Sequence, residues 1–299
     1  METVESHDVI YAFSADLSDV ARVSPGSRVA FETLDALGGQ VTRETDVLSE
    51  LDFSRVNPAT GPVYVEGAKP GDTLVVRILS IELASHGVTV TGPGMGLLGD
   101  VARLSTTRVQ RVSDGVVYFE DLELPAHPMI GVIGVAPRDG TYPTGTAHRH
   151  GGNMDTKEIV AGTTVYLPVE QPGALLAMGD VHAVMGDGEI CVSGCEIAAR
   201  ITVEVDLIPG SKAPWPAVKT DEALYLLVSL PTIEEALREA ALQGVLCLQR
   251  ARRSSFESAY MLASLNMDVR VSQLVDPNKT AKAAIPLNLL PGAPETFLG

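Results

Sequence analysis

Short apolar runs that follow Pro-Gly pairs dominate the first part of the chain. Pro25-Gly26, Pro70-Gly71 and Pro172-Gly173 each precede a run of aliphatic and β-branched residues. Pro and Gly suit the two central positions of a type II turn, because Pro fixes a negative φ and Gly accepts a positive one. The pattern therefore predicts a strand directly after each turn.

Other segments also have the pattern of strands. Residues 201–207, Ile-Thr-Val-Glu-Val-Asp-Leu, alternate strictly, so one face should be buried and the other wet. Asp114-Gly115 is a tight-hairpin signal. The remaining predicted strands are 109–112, 116–119, 130–135, 163–168 and 190–193.

Two segments lack a strand pattern. Residues 1–20 show no strong period, and they are predicted to form a solvated N-terminal arm. Residues 88–99 are predicted to form a glycine-rich loop. Its glycine spacing resembles that of a phosphate loop only superficially, because neither the helix nor the lysine of such a loop follows.

The pattern changes after a Pro-rich connector at 209–220. Thr232 with Glu235, and Ser254 with Glu257, have the spacing of capping boxes. Apolar residues at helical spacing follow both pairs, so helices are predicted over 232–251 and 255–266. A strand at 268–275 and a last strand near 283–287 complete the chain.

This order of elements predicts a mainly β protein with late helices. Short strands between Gly/Pro turns are typical of an antiparallel sandwich or jelly roll, and helices grouped near the end exclude a regular βαβ alternation. Residues 1–208 are predicted to form the β-sandwich core that carries the site. Residues 209–299 are predicted to pack on the same unit, as one integrated domain.

Composition and charge narrow the possible partners and location. A net charge of −16 argues against a general binder of nucleic acid or anionic membranes. No apolar run approaches the ~18 residues of a membrane span. Three cysteines and the lack of a signal-peptide pattern favour a reducing compartment, so a cytoplasmic protein is predicted.

Candidate chemistry is concentrated in the stretch that holds four of the six histidines. Asp180 and His182 lie two residues apart at the end of a predicted strand, and Asn153 and Asp155 have the same spacing. Side chains two residues apart share one face of a strand. If these strands are neighbours, the pairs can converge with Glu196. Carboxylates with an imidazole form a ligand set for Zn²⁺ or another hard to borderline divalent ion.

Simpler interpretations of the same residues remain open. Each pair can be an ordinary hydrogen-bonding pair at the surface. His148 and His150 share the two-residue spacing beside Gly151-Gly152. They can be ligands, substrate contacts or the solvated edge of a loop.

Longer segments point to a known family. They include Asn-Pro-Ala-Thr-Gly-Pro at 57–62, His-Gly-Gly-Asn-Met-Asp at 150–155 and Gly-Asp-Val-His-Ala-Val-Met-Gly-Asp-Gly-Glu at 179–189. Together with segments 128–137, 166–169 and 260–275, they resemble the acetamidase/formamidase family from about residue 20 to residue 290. The resemblance implies a jelly-roll-like β-sandwich with an α+β insertion that forms a dimer or higher homo-oligomer. It also implies hydrolysis of short amides to ammonia and a carboxylate.

The resemblance and the residue types together give a predicted site. The predicted metal ligands are Asp155, Asp180, His182 and Glu196, for a divalent ion that is Zn²⁺ or alternatively Ca²⁺. The predicted catalytic residues are Glu189, Glu196 and Asn153, with a carboxylate taking a proton from water and delivering it to the leaving nitrogen. The predicted substrate contacts are His150, Gly152 and Glu44.

Other positions of the family pattern qualify this prediction. Asn57, Thr60 and Gly61 are expected to form a structural turn that lines the pocket. Cys195 and Met185 depart from the family pattern, and both can alter the pocket and with it the natural substrate.

Two other functions compete with metal-assisted hydrolysis. A non-catalytic jelly-roll module that binds sugar or metal would need exposed aromatic residues, and the chain has one tryptophan, in the connector. A cysteine-based amide hydrolase would need Cys195, Glu196 and Lys157 to meet. Nothing in their spacing indicates that they meet, so a small buried role for Cys195 is favoured.

Overall fold

The structure, a computed structural model, describes residues 1–293 and 296–298. Residues 294, 295 and 299 of the predicted C-terminal part therefore lie outside the described residues. Strands account for most of its regular elements. They are Glu2–Val4 (β1), Val9–Ile10 (β2), Ala12–Ser14 (β3), Ala21–Val23 (β4), Arg28–Thr33 (β5), Ala59–Val65 (β6), Thr73–Leu83 (β7), His86–Thr91 (β8), Thr106–Ser113 (β9), Val116–Phe119 (β10), Leu122–Pro125 (β11), Met129–Gly134 (β12), Thr141–Pro143 (β13), Gly151–Asn153 (β14), Thr164–Pro168 (β15), Leu176–His182 (β16), Glu196–Ile197 (β17), Ala199–Ile208 (β18), Ala217–Lys219 (β19), Ala223–Leu230 (β20), Asp268–Gln273 (β21) and Lys279–Pro286 (β22). The helices are Ile233–Arg252 (α1) and Phe256–Asn266 (α2). Short 3₁₀ turns lie at Leu48–Glu50, Phe53–Arg55 and Leu287–Leu289.

The strands of the described chain form two large, mostly antiparallel sheets, and β3 and β13 form a separate two-stranded one. The first sheet has the order β1-β5-β18-β7-β15-β19-β20-β22-β21. The second has the order β11-β10-β9-β8-β17-β16-β12-β14, and β6 joins it at β16 together with β2 and β4. The predicted mainly β class is confirmed. Since β19 to β22 extend the first sheet, the late residues continue the same layer that the early strands begin.

One hydrophobic cluster fills the space between the two sheets. The first sheet contributes residues such as Phe31 and Ile201, and the second contributes residues such as Ile130 and Met178. All four are fully or almost fully buried. Side chains that interdigitate between two sheet faces are the core of a β-sandwich.

The Pro-Gly turns adopt the predicted backbone. Gly26, Gly71 and Gly173 have φ angles of 83°, 101° and 75°, as the third position of a type II turn requires. Asp114 and Gly115 have φ angles of 53° and 75°, which is the pattern of a type I′ hairpin turn. The residue types at these positions therefore determine the conformation of each turn.

The two predicted helices are confirmed to within a residue or two at each end. The Thr232 hydroxyl accepts a hydrogen bond from the Glu235 amide at 3.3 Å, as a capping residue does. Helix α2 begins one residue later than predicted, because Ser255 rather than Ser254 caps it. Helix α1 packs on the outer face of β20 and β22, and α2 packs mainly on α1, around a second cluster that includes Trp215.

Three local predictions were wrong. Residues 1–20 contain β1 to β3 rather than a solvated arm, because Val4, Ile10 and Phe13 are buried against the sandwich. Residues 190–193 form a turn instead of a strand, and Val192 there has a φ of 82°. The first residues of the predicted loop at 88–99 belong to β8, which pairs with β9. In the first and third cases long-range strand pairing overrode a weak local signal.

A buried lysine ties the closing strands to the rest of the sandwich. The Lys282 side chain is 0% exposed, and its ammonium lies 2.7 Å and 2.9 Å from the two oxygens of Glu158. It also donates to Asp187 Oδ1 at 2.8 Å. Lys157 contacts the other oxygen of Asp187 at 2.8 Å, but its side chain is 45% exposed.

We expect the Lys282→Met substitution to lower the free energy of unfolding by about 3 kcal/mol or more, because it leaves the largely buried Glu158 carboxylate without its cation. Lys157→Met removes a partner of the same Asp187, yet it should cost less than about 1 kcal/mol, since water screens that exposed pair. Urea unfolding of both variants measures the difference. Equal losses would contradict this account.

Candidate active site

Acidic side chains converge on one histidine at the ends of neighbouring strands in the second sheet. Asp180 and His182 close β16, and Glu196 begins β17 directly opposite His182 in the antiparallel register. Asp155 follows β14, which pairs with β12, and β12 in turn pairs with β16. Glu189 reaches the cluster from the loop between β16 and β17. The structure thus brings Asp155, Asp180, His182, Glu189 and Glu196 to one place.

The distances define a tight cluster. His182 Nε2 lies 3.0 Å from Glu196 Oε2, 3.2 Å from Asp180 Oδ1 and 3.9 Å from Asp155 Oδ1. The other Glu196 oxygen accepts a hydrogen bond from the Gly194 amide at 2.8 Å. His182, Asp155, Asp180 and Glu196 are each at most 3% exposed. Solvent therefore screens these charges little.

Two glycines leave room for the charged groups. A Cβ at Gly131, on β12, would clash with Asp155 Oδ1 and would lie 2.7 Å from Asp180 Oδ2. A Cβ at Gly194 would lie 2.7 Å from His182 Nδ1. The absence of these side chains lets the carboxylates and the ring approach the neighbouring backbone.

Left-handed backbone is concentrated at the site. Asn57, Asp155, Asp180 and Glu189 have φ angles of 50°, 36°, 54° and 48°. Non-glycine residues in this region cost of order 1 kcal/mol or more, and they persist where surrounding structure holds them. Three of these residues belong to the cluster, and such strain is typical of a functional site.

Burial and mutual repulsion shift the pKa values of the cluster. Burial and the Asp180 carboxylate raise the pKa of Asp155 well above its usual range. Burial and Asp155 do the same to the pKa of Glu189. Burial also raises the pKa of Glu196 to about 8, although His182 opposes the shift.

The histidine and its nearest aspartate shift in the opposite sense to what burial alone would cause. Burial acts to lower the pKa of His182, but the Glu196 and Asp180 carboxylates outweigh it and raise this pKa well above its ordinary value. Burial acts to raise the pKa of Asp180, but His182 lowers it. The cluster therefore retains protons when no cation compensates its negative charge.

The donor set fits a divalent cation. Among the described residues, both Asp155 oxygens, Glu189 Oε2 and Glu196 Oε2 are buried and accept no well-aligned hydrogen bond, although His182 Nε2 lies 3.0 Å from Glu196 Oε2. Two triplets, Asp155 with Asp180 and His182, and His182 with Glu189 and Glu196, each bring their donor atoms within 4.8 Å of one another. Buried oxygens that lack donors need a cation or protons, and carboxylate with imidazole is a common metal-binding combination.

A cavity of about 140 Å³ opens at the cluster. Asn153, Asp180, Glu189, Glu196 and Asp276 form its polar end. Its other walls are largely apolar, and they include Leu37, Leu48, Val90 and Met95. A small cavity with apolar walls and a few polar groups at one end suits a small, mostly uncharged ligand.

Asp276 is the site residue that sequence reasoning missed. Its carboxylate accepts a hydrogen bond from Asn153 Nδ2 at 2.8 Å, across 123 residues of sequence. Burial and the Glu189 carboxylate raise the pKa of Asp276 well above its usual range. The Asp276-Pro277-Asn278 segment has only a turn signal, so no local pattern could have assigned it to the site.

The structure places the predicted substrate contacts away from this cavity. Glu44 is exposed in a turn. Gly152 lies in β14, where a Cβ would clash with the Thr146 carbonyl oxygen, so its role is close backbone packing. His150 is buried in a different cavity, beside Tyr142.

The family positions near residue 60 divide into two roles. Asn57 lines the acidic cavity, as expected. Thr60 and Gly61 lie in β6, where the Thr60 hydroxyl donates to the Glu32 carbonyl at 2.9 Å. Gly61 has a φ of 131° and packs against the Ala177 backbone.

The geometry does not support a cysteine nucleophile. Cys195 is 3% exposed, and burial with the Glu196 charge raises the pKa of its thiol to about 12. Its sulfur lies 3.7 Å from Gln110 Oε1. Lys157, the third member of the hypothetical trio, pairs with Asp187 instead. A thiol with such a pKa is almost entirely protonated at neutral pH.

Neither helix of the described chain combines the length and apolar character of a membrane span.

Known proteins resemble this chain in fold and in sequence. The family model for the acetamidase/formamidase family matches residues 3–142 and 139–291. The crystal structure of an acetamidase from Bacillus halodurans is 43% identical, covers 96% of this chain and 97% of its own, and superposes with a TM-score of 0.93. That of a predicted acetamidase/formamidase from Thermoanaerobacter tengcongensis is 41% identical, covers 99% and 97%, and has a TM-score of 0.94. A formamidase from Methylophilus methylotrophus is 26% identical over 92% of this chain and 87% of its own length. The chain belongs to the acetamidase/formamidase family.

Proposed function

We propose that the protein hydrolyses short-chain aliphatic amides, of the formamide and acetamide class, to ammonia and a carboxylate. One observation carries the proposal: three carboxyl groups beside the buried His182, those of Asp180, Glu189 and Glu196, line a cavity of about 140 Å³. Family membership gives the reaction class, and the cavity limits the substrate. Apolar walls that enclose so small a space favour a one- or two-carbon acyl group over a longer chain.

We further propose that a divalent metal ion is held by Asp155, Asp180, His182 and Glu196. The buried oxygens without donors and the two donor triplets support this assignment. A bound metal supplies Lewis-acid polarisation of a carbonyl and increases the acidity of water. An imidazole in the set favours Zn²⁺, while the predominance of carboxylates makes Ca²⁺ the alternative.

The protein's own side chains have separate roles in the proposed reaction. Glu189 takes a proton from the attacking water and delivers it to the leaving nitrogen, and its raised pKa suits both transfers. That delivery is needed because an amide anion is a very poor leaving group. Glu196 has the same function only if it is not a ligand.

Asn153 is proposed to orient the substrate. Its Nδ2 donates to Asp276, which fixes the amide plane. Its Oδ1 is buried and, within the described residues, has no hydrogen-bond donor. That oxygen can accept a hydrogen bond from the NH₂ group of a substrate amide. Orientation by a fixed acceptor contributes to catalysis by positioning the scissile bond.

Assembly and location are proposed on separate grounds. An apolar face of α2 supports a homo-oligomer, because Tyr260, Met261 and Leu265 are 60%, 64% and 79% exposed. Exposed apolar patches commonly mark subunit interfaces.

Free Cys191, Cys195 and Cys247 agree with a reducing, cytoplasmic location.

Substitution of the central histidine tests the function. We expect His182→Asn to lower kcat/KM for acetamide by about 10³-fold or more, because it removes a proposed ligand at the reacting end of the cavity. Ammonia release and elemental analysis measure activity and metal content. His7→Asn is the control, since its side chain is 80% exposed and should leave both unchanged. Full activity in His182→Asn would refute the site.

Two matched glutamate variants distinguish ligand from base. Glu189→Gln should lower kcat by about 10²-fold or more with bound metal retained, since it removes a proton acceptor. Glu196→Gln should lower the metal content itself, because an amide is a weaker ligand than a carboxylate. Turnover and elemental analysis of both proteins are the measurements. The reverse pattern would exchange the two roles.

The pH dependence of stability tests the charge balance. The folded-state pKa of Glu196, about 8, exceeds its ordinary value of 4.5, so the folded metal-free protein binds more protons than the unfolded chain between these pH values. His182 has the same sign. Stability of the chelated protein should therefore fall as pH rises from about 5 to about 8.

Thermal unfolding from pH 5 to pH 9, with and without chelator, makes this measurement. The stabilisation by added metal should grow with pH, because protons and metal compete for the same atoms. A metal effect that is constant across this range would contradict the proposed competition.

A further inference from the structure

A second cleft, of about 290 Å³, lies apart from the acidic cavity and shares no lining residue with it. Three cationic side chains line it, those of Arg138, Arg149 and Lys212, and His150 lies in its wall. Metal chemistry does not explain the cleft, because the triplets of metal-binding side chains found in the described chain all contain His182.

His150 is a buried polar side chain without a partner. It is 2% exposed, and among residues 1–293 and 296–298 neither of its ring nitrogens has a hydrogen-bond partner. Burial and the neighbouring His148 lower the pKa of His150 to about 3, so the ring is neutral and carries one N–H donor. Leaving such groups unsatisfied costs about 1–3 kcal/mol each, so this ring is poised for a ligand or water.

Aromatic packing holds the ring in place. The His150 ring centroid lies 5.0 Å from that of Phe13 and 5.0 Å from that of Tyr142. Tyr142 in turn stacks on His148 at 5.5 Å. Because two aromatic rings pack against His150, its N–H direction is preorganised, which lowers the entropic cost of binding.

The backbone and charges of the cleft are also organised. Gln171 Nε2 donates to the Pro137 and Arg138 carbonyls at 3.1 Å and 2.8 Å, which fixes the segment that carries Arg138. Lys212 is neutralised by Glu170 at 2.8 Å. Of the charged lining groups, this leaves two guanidiniums against the single carboxylate of Asp139, in a chain whose net charge is −16.

We propose that this cleft binds a small oxyanion, specifically a monocarboxylate. The His150 N–H donates to one carboxylate oxygen, and the Arg138 and Arg149 guanidiniums balance the charge. The Asp139 carboxylate in the same lining opposes a dianion such as phosphate. The inference goes beyond amide hydrolysis and does not depend on it. A carboxylate is nevertheless the class of product that the proposed reaction releases.

Trp215 provides a local reporter. It is the single tryptophan of the chain, and its ring lies 5.7 Å from that of His148 and 4.8 Å from the Arg149 guanidinium carbon. It does not line the acidic cavity. Trp215 does not line the cleft itself, but His148 and Arg149, which it contacts, do, so we expect its emission to respond to a ligand there.

The experiment is a fluorescence titration of the full-length protein with sodium acetate, at an ionic strength held constant with sodium chloride. We expect a saturable change in Trp215 emission. Arg138→Gln should weaken acetate binding about tenfold, because it removes one charge-assisted contact without touching the reporter. Arg22→Gln is the matched control and should bind like the wild type, since that arginine lies over Tyr64 elsewhere.

His150→Gln gives an independent second variant, and it should abolish the acetate response. Three results would overturn the proposal: no saturable change in the wild type, an equal response to chloride alone, or Arg138→Gln binding acetate like the wild type. Tighter binding of inorganic phosphate than of acetate would overturn the monocarboxylate assignment. Because Arg138 is exposed, its variant should fold normally, so the test does not rest on the buried histidine.

Discussion

The buried negative charge around His182 is the constraint on which the site depends. Asp155, Asp180, Glu189 and Glu196 are buried with it, and one imidazolium can balance only one carboxylate. An isolated buried charge is costly enough that proteins protonate it, pair it or give it a metal. The four carboxyls therefore bind protons or a cation at every pH at which the protein is folded. Because the carboxyls need protons or a cation, the cluster is a binding site and not a stabilising ion-pair network.

The sheet register and the closing strands of the sandwich hold these acidic residues close together. Antiparallel pairing sets Glu196 opposite His182, while β21 leads into the turn that carries Asp276. Lys282, on β22, holds Asp187, which lies two residues before Glu189. The last strands of the first sheet thus position Asp276 directly, and Asp187, close to Glu189, through Lys282. An enzyme of this kind needs its C-terminal part for the geometry of a site that earlier residues largely supply.

Local sequence predicted the parts of the structure that local physics decides. Pro-Gly and Asp-Gly turns, the Thr232 cap and the shared face of Asp180 and His182 all follow from neighbouring residues. Asp276 could not be found in this way, because its role comes from a contact 123 residues distant in sequence. Glu44 was predicted to reach the site from residue type alone, and nothing in the packing brings it there.

His150 and Asn153 show how one short motif can supply two cavities. Gly151 and Gly152, between them, both have a φ of 92°, and a Cβ at either position would clash with a neighbouring carbonyl oxygen. The two glycines let the backbone change direction in a space too narrow for side chains. His150 consequently lines the cationic cleft, while Asn153 reaches the acidic cavity. Sequence proximity of polar residues therefore does not imply a common site when the glycines between them redirect the chain.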